Sequence, residues 1–126
     1  MLQLPAVRKT RKHDRHRMEP QYDERFTELR KRFAARSVEN ATRLETLVGG
    51  LSDDASGDTL HEIEQIAHRL VGAAGTFGFP ALGALADGVE QEASYLRASG
   101  SRDFSRLADA CRRLKEGLKE FGEHEP

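Results

Sequence analysis

Apolar residues recur every three or four positions along most of this 126-residue chain, and no stretch alternates with the period of two that a half-buried strand requires. The last third shows the pattern most fully: Phe104, Leu107, Ala108, Cys111, Leu114, Leu118 and Phe121 form one helical stripe. Upstream, no Pro or Gly interrupts residues 21–48, where Tyr22, Phe26, Leu29 and Phe33 precede Ala41, Leu44, Leu47 and Val48. Ser37 is a residue type that opens helices, so a break is expected between Arg36 and Ser37, giving a short first helix and a longer second. "GGLSDDASGD" (49–58) has loop composition, and Asp58 is the expected N-cap of a third helix over 59–76. Pro80 suits the first turn of a fourth helix over 80–98. "SGSRD" (99–103) then turns the chain into the fifth. Short loops between amphipathic helices make antiparallel neighbours, so an all-α, up-and-down four-helix bundle with an additional short N-terminal helix is expected.

The length suits one core. With 33% charged and 37% hydrophobic residues, that core is modest and aliphatic. A formal net charge of −1 argues against a nucleic-acid-binding domain. The charge is uneven: residues 1–20 carry six Lys/Arg against Asp14 and Glu19, a net +4, while the rest holds 14 basic and 19 acidic residues, a net −5. Residues 1–20 have no period and end at Pro20, and we read them as a flexible basic tail, either a solvated extension or an attachment to a partner or anionic surface. The bundle is expected over 21–122 and a C-terminal tail over 123–126. The single cysteine, Cys111, cannot form an internal disulfide, and its place on an apolar stripe marks it as core packing. No apolar run approaches the roughly 18 residues of a membrane span, and the basic head lacks a signal peptide's apolar segment. A cytoplasmic protein is expected, a monomer, with no nucleic-acid or membrane partner.

Against this background "AHRLVGAAGTFGF" (67–79) stands out. A glycine inside a helix costs about 1 kcal/mol relative to alanine, yet Gly72 and Gly75 follow His68 closely. With each residue advancing about 100° around a helix, Ile63, Ile66, Leu70, Ala73 and Phe77 lie opposite His68 and form the buried stripe. His61, Glu64, Gly72 and Gly75 share the face of His68. The imidazole therefore points to solvent beside a bare patch of helix that another protein's backbone can approach. Two further readings of this face exist. His61, Glu64 and His68 run along one exposed stripe and could hold a metal, although such a stripe offers no supporting shell; or the glycines only mark the helix end, which suits Gly78 and hardly suits Gly72. "GAAGTFG" lacks the Lys-Ser/Thr of a nucleotide loop and follows no strand. His13, His16, His61 and His124 read as surface residues.

His68-x-Leu70-x-Gly72, with Gly78 ten residues after the histidine and Leu82 and Leu85 beyond, resembles the histidine-containing phosphotransfer (HPt) domain of bacterial phosphorelays. "GTFGF" (75–79) is similar to the phosphotransfer domain of chemotaxis-type histidine kinases. The resemblance covers roughly residues 22–121, and its specific part is 67–90. It implies that His68 accepts the phosphoryl group on Nε2 and that Glu90 holds the other ring nitrogen. The residues themselves agree: Gly83, Ala86, Glu90 and Ala93 form a strip of small residues with one carboxylate, beside the apolar stripe of Leu82, Leu85, Val89 and Leu96. The resemblance also makes Glu64, Gln65, Arg69, Val71, Gly72 and Gly75 the face on which a receiver domain docks. One position departs from the family. Val71 stands where a lysine is usual, and Arg69, about 100° from His68 around the helix, is an imperfect substitute.

Imidazole is largely neutral, and so nucleophilic, at physiological pH, and a carboxylate on Nδ1–H selects the tautomer that leaves Nε2 free. Phosphoryl transfer also needs charge neutralisation, usually by Mg²⁺. The chain shows no carboxylate cluster for Mg²⁺ and no nucleotide motif, so no cofactor of its own is expected. The implied function is a phosphoryl carrier without autokinase activity, working between a hybrid histidine kinase and a response-regulator receiver domain that brings the Mg²⁺. The alternative is a helical adaptor that docks a receiver without being phosphorylated; a metal-binding bundle is the third reading.

Overall fold

A computed structural model describes the backbone of residues 4–54 and 56–124, and the side chains from Glu24 onward within those ranges. Four α-helices account for most of the chain: α1 (Leu4–Gly49), α2 (Asp58–Phe77), α3 (Pro80–Ser99) and α4 (Ser105–His124), with a 3-10 turn at Leu51–Asp53. No strand occurs among the described residues. The chain divides into two units, residues 1–32 and residues 33–126. The first comprises the N-terminal part of α1 and the residues before it. The second is a four-helix bundle made by the rest of α1 with α2, α3 and α4.

The bundle's neighbours run antiparallel. Between α2 and α3, Ala74 lies beside Gly83, His68 pairs with Glu90, and Glu64 pairs with Arg97, so one number falls as the other rises. Between α1 and α4, Val38 abuts Gly122 and Glu45 meets Lys115. Arg43 on α1 forms a two-pronged pair with Glu62 on α2 at 2.8 and 2.9 Å, while Phe33 stacks on Phe77. Leu85 packs on Gly117 and Glu92 meets Arg106 between α3 and α4. The core lies along the axis, with Leu44, Ile63, Val89, Leu107, Leu114 and Leu118 fully buried. At one end Phe33, Phe79 and Phe121 cluster with ring centroids 4.6–6.2 Å apart, joining α1, the α2–α3 turn and α4. Cys111 is buried, and that burial pushes its thiol up to about 12.

The four-helix bundle agrees with the sequence expectation, but its N-terminal addition is not a separate short helix. α1 passes through residues 36 and 37 unbroken. Ser37 is fully buried, and its hydroxyl donates to the Phe33 carbonyl 2.9 Å away, one turn back, instead of capping a new helix. The helix also reaches back to Leu4, through much of the 1–20 stretch expected to be a flexible tail. Residues 1–3, and the side chains of the basic residues before Pro20, lie outside the described residues. At the other end α4 continues to His124, past the expected boundary at 122, and residues 125–126 lie outside the described residues.

The start of α2 also differs from the sequence expectation. Asp58 is the helix's first residue, not its cap, and Gly57 precedes it with φ 85°. The capping carboxylate is Asp54, which accepts from the Ser56 N–H and hydroxyl through Oδ1 and from the Thr59 N–H, at 2.6 Å, through Oδ2. These bonds, led by the one from Ser56, hold the Asp54 carboxyl well below the usual aspartate range. Arg102, in the α3–α4 connection, ties the same loop to that connection by donating to the carbonyls of Ser52 and Asp54. The α2–α3 turn follows the sequence reading more closely. Gly78 ends α2 at φ 80°, a left-handed conformation that costs glycine little. The Phe79 N–H then closes back on the Ala74 carbonyl at 2.9 Å, and Pro80 opens α3. This tight reversal turns α3 back antiparallel to α2.

Candidate functional site

α2 buries Leu60, Ile63, Ile66, Ala67, Leu70 and Ala74, sharing Ile63, Ile66 and Leu70 with the stripe that spacing indicates and adding Leu60 and two alanines. Ala73 and Phe77, expected on the stripe, are half-buried and pack against the core. Burying that face leaves His68 turned outward, with 69% of its side chain exposed. On the same face Gly72 and Gly75 have open space where a Cβ would stand. The bare helix surface beside the imidazole is therefore real, and neither glycine is required by packing. Gln65 and Arg69 are exposed next to the histidine, and Val71 is half-buried against the core.

α3 supplies the second half of the site. Leu82, Ala86, Val89, Ala93 and Leu96 are buried, while Leu85 is half-buried. The strip of small residues faces α2: a Cβ on Gly83 would lie 3.4 Å from the Ala74 Cβ. Close approach of the helices puts Glu90 Oε2 2.7 Å from His68 Nδ1. An ionised carboxylate only accepts, so Nδ1 carries the proton and donates. In the neutral ring Nε2 then keeps its lone pair, and it has no hydrogen-bond partner among the described residues. Only 26% of the Glu90 side chain is exposed against 69% for the imidazole. The carboxylate is the more buried partner and the imidazole the more exposed one.

Several other carboxylates on α2 and α3 already have partners. Glu62 receives Arg43 from α1, and that hydrogen bond, with the charges of Arg43 and Arg69, lowers the Glu62 carboxyl. Asp87 accepts from the Gln91 amide at 2.7 Å. Glu64, one turn before His68 and expected on the docking face, is instead held by the Arg97 guanidinium, with only 16% of its side chain exposed. Sequence reasoning missed Arg97. Its partner is 33 positions away, and nothing local distinguishes it from any other arginine on a wet helix face. Among the described residues no three His, Cys, Asp or Glu side chains gather as a metal-binding group, and His61, Glu64 and His68 do not converge.

The arrangement can do one kind of chemistry with few parts. It presents an exposed imidazole nitrogen as nucleophile, oriented by a carboxylate on the opposite nitrogen, beside a surface without side chains. No helix among the described residues is long and apolar enough to cross a membrane. No curated protein and no solved structure matches the chain. The family model of the Hpt domain matches residues 28–124, more than half of the chain and all of the bundle from Phe33 to His124. The motif around His68, the helical bundle and this match agree: the chain belongs to the Hpt domain family, the phosphocarrier domains of histidine phosphorelays.

Proposed function

We propose that the chain carries a phosphoryl group on His68 Nε2 between receiver-domain aspartates, one in a hybrid histidine kinase and one in a response regulator. The observation that supports this most directly is the 2.7 Å bond from His68 Nδ1 to Glu90, which leaves Nε2 free at the exposed edge of the ring. In the forward step the Nε2 lone pair attacks the phosphorus of an aspartyl phosphate. The Nε2–P bond forms as the O–P bond breaks, and the aspartate leaves as a carboxylate. The proton stays on Nδ1, so the phosphorylated ring is cationic and faces the Glu90 carboxylate. The reverse step, onto a second aspartate, is chemically the same.

Everything else comes from the partner. The receiver supplies the Mg²⁺ that offsets the charge of the transferring group, and the carrier works as a monomer in the cytoplasm, without autokinase activity. Gln65, Arg69, Val71, Gly72 and Gly75 form the docking face. Incubation with a phosphorylated receiver tests the reading. His68 should take up label that is acid-labile and base-stable; His68→Gln, whose side chain is exposed, should melt like the wild type and take up none. Label persisting on His68→Gln would overturn the assignment. A wild type that binds the receiver without label would make the chain the adaptor instead.

A further inference from the structure

We propose that Arg97 is a positioning residue for the phosphoryl acceptor, acting by holding Glu64 away from the imidazole of His68. Glu64 precedes His68 by four residues, the helical spacing at which an acid and a base on one face reach each other. Left alone, its carboxylate would compete with Glu90 for the ring. Capture of Nε2 would block the nucleophile. Capture of Nδ1 would move the ring off the geometry that Glu90 sets. The structure places Glu64 in neither position, because the Arg97 guanidinium holds it from across the α2–α3 interface.

The register makes Arg97 suited to this. The His68–Glu90 and Glu64–Arg97 pairs are successive rungs between antiparallel helices. At about 1.5 Å per residue, they stand about 6 Å apart along α2 but about 10.5 Å apart along α3. Arg97 therefore reaches back along α3 toward Glu90, the direction in which helix side chains lean. Its long stem closes the gap, where a shorter side chain would not. Other charged or titratable groups on these helices are His61, Glu62 and Arg69 on α2, Asp87 and Glu90 on α3, and Arg43 on α1, and none of them bonds to Glu64. Arg43 is engaged by Glu62, and Asp87 by Gln91. With Glu62 and Glu64 each matched to an arginine, Glu90 is the carboxylate left for His68.

This inference rests on the phosphoryl-carrier reading, and its test separates the two. Imidazole ¹⁵N shifts report which ring nitrogen is protonated without any phosphoryl chemistry. Phosphoramidate, a small donor, reports nucleophilicity without any receiver: its P–N bond breaks as the Nε2–P bond forms, and ammonia leaves. In the wild type the shifts should show Nδ1–H with Nε2 unprotonated. Arg97→Gln should move the shifts toward the other tautomer and slow phosphohistidine formation roughly twofold to fivefold. Glu64→Gln alone should leave both unchanged, and the Glu64→Gln/Arg97→Gln double variant should recover wild-type behaviour, which loss of a merely structural contact would not. Arg97→Met, keeping most of the stem, replaces Arg97→Gln if the latter unfolds. Unchanged shifts and rate in the folded single variant, or no recovery in the double, would overturn the role of Arg97. Failure of the wild type to form phosphohistidine, with the shift changes intact, would count against the carrier reading and leave the role of Arg97 standing.

Discussion

Gly72 sets a residue's effect on stability against its effect on function. A helix interior disfavours glycine by about 1 kcal/mol relative to alanine, and no neighbour would touch a Cβ at this site. Gly72→Ala should therefore stabilise the fold by up to about 1 kcal/mol. A longer side chain would stand one turn beyond His68, on the face where a receiver has to approach. In-line transfer needs the nucleophile within about 3–3.5 Å of phosphorus. Gly72→Gln should therefore melt at or above the wild-type temperature while phosphotransfer from a receiver falls at least about tenfold, or about 1.4 kcal/mol. Label uptake from phosphoramidate should not fall, because that donor needs no docking face. A stable Gly72→Gln that accepts from a receiver at the wild-type rate would refute the docking account.

At the scale of elements, the same residue type has the opposite consequence where helices touch. A Cβ on Gly122 of α4 would come within 2.5 Å of the Val38 Cγ2 and 2.9 Å of the Ala34 carbonyl oxygen on α1. Val38 could rotate, but the carbonyl belongs to the helix backbone and cannot. Gly122→Ala should thus lower stability by about 1–3 kcal/mol, the usual cost of overpacking, despite alanine's better helix propensity. Urea unfolding of Gly122→Ala beside Gly72→Ala checks the contrast, and equal stabilisation by both would mean that α1 and α4 lie further apart. Sequence inspection recognised the Gly72 face because its argument is angular and local. It gave no reason to single out Gly122, whose meaning depends on a residue 84 positions earlier.

For the whole molecule, the charged surface makes stability depend on acid. Hydrogen bonds from Ser56, Arg43, Ser105 and Arg112 hold the carboxyls of Asp54, Glu62, Asp103 and Asp109, respectively, below their ordinary values. A carboxyl depressed in the folded state contributes stability that is fully present above its unfolded value and lost as pH falls toward the folded one. With unfolded values near about 3.9 for Asp and 4.3 for Glu, the melting temperature should change little on this account between pH 7 and about pH 5 and fall below about pH 4. The groups are exposed, so each contribution is small and salt should weaken it. Melting curves followed by circular dichroism from pH 7 to pH 3, at low and high salt, test this. A melting temperature that rises on acidification would contradict it.

The sequence by itself determined α2, α3 and α4, the outward direction of His68, the bare patch at Gly72 and Gly75, and the Gly78–Pro80 reversal. These rest on spacing within one helix or on the conformational limits of single residues, so neighbours along the chain suffice to specify them. Glu90 was visible as a lone acid on a strip of small residues, because such a strip permits close approach wherever it packs. The tertiary structure alone decided that Asp54 and not Asp58 caps α2, that Ser37 is buried inside one long α1, and that Gly122 is a point of helix contact. It also decided that Glu64 belongs to Arg97, and it supplied the bond from His68 to Glu90 that the family resemblance implied and no spacing showed. Those pairings join positions 33 and 22 residues apart. Their choice depends on the register between α2 and α3, which the packing of the whole core imposes and no local pattern encodes.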